Sequence, residues 1–112
     1  MPITTRNLLD QYTEILQKIY GKHLKKVILY GSYARGDYRD DSDIDIMILV
    51  DSTEDTIKQK GRMVSDITFD FNLDHDIMIM PIVKNVNHFQ YWLPADPFYK
   101  NVKNDGVELY VA

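Results

Sequence analysis

From residue 4 to residue 20 the apolar positions Leu8, Leu9, Tyr12, Ile15, Leu16 and Ile19 recur every three or four residues, the spacing of one helix face. Thr4 or Thr5 is placed to cap this helix and Gly21 to stop it. A short basic stretch, Lys22 to Lys26, reads as a solvated connection with His23 exposed. The pattern then changes period. Lys26 to Tyr30 is short and apolar with β-branched Val27 and Ile28, which predicts a buried strand, and Ile44 to Val50 is apolar on both faces, as a central strand is. Ser52 followed by Asp55 has the form of a capping box, after which Ile57, Met63, Val64, Ile67 and Phe71 restore helical intervals to about Asn72. Gly61 marks a point of kinking or division in that helix. Asp74 to Val83 reads as a third strand, with Pro81 at a terminus or an edge. Beyond it, Phe89, Tyr91 and Trp92 precede a break at Pro94. Asp96 and Pro97 then form an N-cap and N1 pair opening a short helix that runs to Gly106. Val107, Leu109 and Val111 alternate with Glu108 and Tyr110 as a last edge strand. The expected fold class is α/β (α+β), a small mixed β-sheet covered by helices.

Composition narrows this picture. The 112 residues, 45% hydrophobic, suffice for a single domain spanning 1–112 with a modest core. A net charge of −4 argues against a general nucleic-acid surface, because that affinity comes mostly from Lys and Arg meeting phosphates. There is no cysteine, so neither a disulfide frame nor a thiolate metal site is available. No apolar stretch approaches the ~20 residues of a membrane span, no signal-peptide pattern opens the chain, and a cytoplasmic location is expected.

Candidate chemistry is concentrated between Tyr30 and Val50. Gly31 and Ser32 form a polar corner after the first strand. Ten residues follow, and then Asp43 and Asp45 stand one residue apart at the mouth of the second strand. Alternation turns both carboxylates to one side, which suits a hard divalent cation; magnesium commonly takes one or two carboxylates and completes its shell with water and substrate phosphates. Gly31 lets backbone approach a phosphate, and the Ser32 hydroxyl adds a hydrogen bond. The implied chemistry is phosphoryl or nucleotidyl transfer. Arg35 is positioned either to reach a phosphate or to be held by Asp37, Asp40 and Asp41 in a structural ion pair. Tyr33 and Tyr38 are expected to pack rather than to bind a base. Asp74 and Asp76 both stand at the entrance of the third strand and by alternation share a face; Asp76 is preferred because it directly abuts the apolar run, as Asp45 does. His75 is expected to point away.

Gly31-Ser32, ten residues, then Asp43-Ile44-Asp45 resembles the signature of the DNA polymerase β-like nucleotidyltransferase superfamily. The surrounding GSYARGDYRDDSDID is similar to its minimal nucleotidyltransferase (MNT) branch. The resemblance implies a polymerase β-like core and two Mg2+ ions. Asp43 and Asp45 would bind both ions, and Asp76 would bind one and act as base. Gly31 and Ser32 would hold the β- and γ-phosphates of ATP. It further implies an antitoxin role, in which AMP is transferred to a tyrosine hydroxyl of a HEPN-domain toxin. The alternatives are a binding antitoxin that neutralises its partner by complex formation, or a small-molecule (antibiotic) nucleotidyltransferase. The base preference is not legible in the residues.

Overall fold

The computed structural model describes residues 1–112 as a four-stranded sheet with helices on both faces. In chain order the elements are α1 (Ile3–Tyr20), a 3-10 turn (Gly21–His23), β1 (Leu24–Tyr30), α2 (Ser32–Arg35) and β2 (Ile44–Val50). They continue with α3 (Glu54–His75), β3 (Ile79–Asn85), α4 (Val86–Trp92), α5 (Pro97–Asp105) and β4 (Val107–Val111). The sheet order is β3-β2-β1-β4, with β2 and β3 parallel and the other pairs antiparallel, so the mixed α/β architecture expected from the pattern is present. No helix is long and apolar enough to cross a membrane.

Period two divides the core between the two faces of the sheet. Ile44, Ile46, Ile48 and Val50 of β2 join Leu9, Tyr12 and Leu16 of α1 and Val64 and Phe71 of α3 in one cluster. Met47 and Leu49 point the other way, to Phe89 of α4 and to Tyr99 and Val102 of α5. Because β2 is buried on both faces it reads as a continuous apolar run. Across the first cluster the buried Tyr12 hydroxyl meets Thr68 Oγ1 at 2.7 Å, pinning α1 to α3.

Four local expectations change. The first helix follows Pro2 without a side-chain cap, so neither Thr4 nor Thr5 serves. Thr53, rather than Ser52, caps α3 by accepting from the Thr56 amide. Gly61 does not interrupt α3, which runs unbroken for 22 residues because Val64, Thr68 and Phe71 are buried along it. The third strand begins at Ile79, not Asp74. Asp74 and His75 close the last turn of α3, with His75 against the Phe71 ring at 4.3 Å, and Asp76 sits beyond them in the left-handed conformation at φ 52°. The cause is Asn72, whose carboxamide accepts from the Ile79 amide at 2.9 Å and donates to the Ile79 carbonyl at 3.1 Å. That clip binds the end of the helix to the first residue of the strand and leaves no length for Asp74 and Asp76 to share a strand face.

Candidate active site

At the end of β1 the chain reverses at Gly31, whose φ of 78° lies where residues with a Cβ are strained. The Gly31 carbonyl accepts from the amides of Ala34 and Arg35, both at 3.1 Å, which forms the single turn of α2. Gly36, left-handed at φ 88°, ends it. The loop back to β2 is fastened by the Arg39 amide on Ser42 Oγ at 2.7 Å and by the stacked rings of Tyr33 and Tyr38, 4.2 Å apart, so both tyrosines pack as expected.

Tyr30 and Asp45 are Cα partners across β1 and β2, which sets Asp45 beside the Gly31 corner. Burial, then the neighbouring Asp43 charge, raises the Asp45 carboxyl above the ordinary carboxylate range, while Arg35 pulls it down. Burial and the Asp45 charge likewise push the Tyr30 phenol up to about 12. Arg35 lines the cleft with its guanidinium 3.3 Å from Asp37 and 3.5 Å from Asp105; of the three expected ion-pair partners only Asp37 is met, and Asp105 takes the place of Asp40 and Asp41.

Gly31, Ser32, Arg35, Asp43 and Asp45 therefore share one open cleft of about 450 Å³. Its opposite wall is α5, which contributes Phe98, Asn101 and Asp105. None of these three stood out in the sequence. Their spacing was the available signal, since positions 98, 101 and 105 follow the helical interval while Tyr99 and Val102 face the core.

Asp76 lies elsewhere. It lines a second groove, of about 270 Å³, together with Tyr33, Met78 and Asp43, so Asp43 forms part of both walls. The residue paired with Asp45 on β3 is Met80, whose thioether is no ligand for a hard cation. No cluster of three or more His, Cys, Asp or Glu side chains is gathered for a metal; Asp43 and Asp45 line one cleft, and Asp43 and Asp76 the other. The pair alone fits a magnesium ion that draws its remaining ligands from water and a nucleotide. Asp45 is desolvated and repelled by Asp43, a burden that a bound cation relieves.

Residues 9–107 match the family model described as a nucleotidyltransferase domain. The chain is 35% identical over 102 residues to the proposed protein adenylyltransferase MJ0141 of Methanocaldococcus jannaschii, covering 91% of this chain and 95% of that one. Among solved structures, a proposed nucleotidyltransferase from Sulfolobus solfataricus superposes with a TM-score of 0.65 at 27% identity, covering 97% of this chain and 82% of that one. A tri-AMPylated Shewanella oneidensis HEPN toxin in complex with MNT antitoxin gives 0.54 at 18% identity, over 96% of this chain and 73% of the matched one, a likeness of fold.

Proposed function

Because the chain belongs to the nucleotidyltransferase-domain family, we propose that it transfers AMP from ATP onto a tyrosine hydroxyl of a HEPN-domain toxin, so acting as an antitoxin. The observation that carries this reading is the cleft in which the Gly31 corner meets the paired carboxylates Asp43 and Asp45. The name of the Methanocaldococcus relative and the AMPylated toxin in the Shewanella complex support the acceptor class.

In this reading Gly31 and the Ser32 hydroxyl hold the β- and γ-phosphates, and Asp43 and Asp45 would hold magnesium. When bound, magnesium would neutralise the polyphosphate and the charge that develops on the leaving oxygen. The acceptor oxygen attacks the α-phosphorus, the bond to the bridging α,β-oxygen breaks, and pyrophosphate departs. Asp76, in the groove that also touches Asp43, receives the acceptor proton rather than sharing a metal with Asp45. Arg35 exchanges Asp105 for a phosphate oxygen.

Incubating the purified chain with magnesium, ATP labelled at the α-phosphate and a purified HEPN-domain toxin should label the toxin. The Asp43→Ala variant should lose more than about 100-fold of that rate, since even outer partners of a metal are worth 10–100-fold. Equal labelling by wild type and variant would remove the proposal.

A further inference from the structure

A nucleoside triphosphate is charged at one end and flat and aromatic at the other, and the cleft has two walls of matching character. On one side stand the Gly31 corner and the acids. On the other stands α5, with Phe98 41% exposed beside charged neighbours. Building on the nucleotidyl-transfer reading above, we propose that Phe98 and Asn101 form the nucleobase subsite of this cleft and select adenine.

The Phe98 ring is held in place before any ligand arrives. Its centroid lies 5.6 Å from that of Tyr30 in an edge-to-face contact at 78°, and 6.0 Å from Tyr99. The helix beneath it is equally fixed. Asp96 caps it through the Phe98 and Tyr99 amides, Tyr99 and Val102 are buried, and the Tyr99 hydroxyl meets His88 Nδ1 at 3.1 Å. A half-exposed aromatic ring on a rigid element offers a base a stacking face that needs no ordering on binding.

Asn101 follows Phe98 by three residues and lines the same cleft. Its carboxamide places one donor and one acceptor side by side. Adenine matches that pair with N7 as acceptor and N6–H2 as donor, whereas guanine presents two acceptors, N7 and O6, on the same edge. The Asp105 carboxylate in the same wall disfavours O6 further, and Arg35, the one guanidinium lining the cleft, is engaged by Asp37 and, in the reading above, by phosphate. Purines stack over a larger area than pyrimidines on the same ring.

Calorimetry on the full chain with magnesium tests the subsite, using AMP-PNP, GMP-PNP and inorganic tripolyphosphate as probes. Wild type should bind AMP-PNP more tightly than GMP-PNP. Phe98→Ala should weaken AMP-PNP roughly 10-fold and leave tripolyphosphate unchanged, as loss of one stacking partner predicts. Phe98→Leu keeps an apolar contact for Tyr30 and should show the same selective loss, with an unaltered thermal midpoint as proof of folding. Asn101→Leu should erase the preference for adenine over guanine without changing tripolyphosphate affinity. If tripolyphosphate binds but Phe98→Ala and Phe98→Leu hold AMP-PNP as wild type does, or if Asn101→Leu retains the preference, the subsite is overturned. If wild type binds none of the three, the nucleotide reading itself fails and the subsite with it.

Discussion

A Cβ placed on Gly31 would overlap Oδ2 of Asp45 and come within 3.3 Å of its Cγ, so corner and carboxylate fit only because position 31 has no side chain. Gly31→Ala should therefore both strain a backbone conformation (φ 78°, ψ −155°) that is nearly confined to glycine, by about 1–3 kcal/mol, and displace Asp45. Chemical denaturation should report the first effect. Loss of magnesium-nucleotide binding in the same variant should report the second.

Gly61 should behave in the opposite way. It lies inside α3, and nothing within 4 Å would meet a Cβ there. Gly61→Ala should stabilise the fold by about 1 kcal/mol through lower chain entropy and better helix propensity, with nucleotide binding unchanged. A rise in the denaturation midpoint at constant m-value checks this.

Alkaline pH should unfold the domain partly through Tyr12. Burial pushes its phenol up from 10.0 to about 12, with the Thr68 hydrogen bond opposing the shift. The folded state thus keeps a proton that the unfolded chain releases. Stability from this group is complete below pH 10 and is lost as pH rises toward 12, at about 1.4 kcal/mol per pH unit. Tyr12→Phe should make the fall between pH 10 and 12 shallower in urea titrations. At neutral pH it should cost about 1 kcal/mol for the Thr68 hydroxyl left without its partner.

Asp76 separates conformation from chemistry. Its φ of 52° is the one positive value at a non-glycine residue, at a helix end where glycine is favoured. Asp76→Gly should stabilise the fold by up to about 1 kcal/mol. If Asp76 takes the acceptor proton, the same variant should lower AMP transfer by about 100-fold or more while magnesium-nucleotide affinity stays at the wild-type value. Unchanged transfer would end the assignment of Asp76 as base.

Much of the scaffold was legible because its signals are local. The bounds of β2 follow from an apolar run starting directly after Asp43, and Asp96 with Pro97 marks the start of α5 by cap chemistry alone. The choice between Ser52 and Thr53 as cap turns on one residue of chain direction, which composition does not carry. The position of Asp76 was misread because the Asn72 clip joins residues seven apart through a side chain, and no hydrophobic period records it. The α5 wall escaped because β4 pairs with β1 rather than with β3. That pairing brings the C-terminal helix back over the cleft, a consequence of topology and not of any motif.

The clip at Ile79 also governs one of the two free borders of the sheet, that of β3. Both backbone groups of Ile79 turn to Asn72, away from β2, while the Met78 carbonyl accepts from the Ile44 amide. By alternation the next outward-turned residue is Pro81, which has no N–H to give. An incoming strand would thus find the first site taken and the second without a donor, so cross-chain pairing is hindered over the first half of β3.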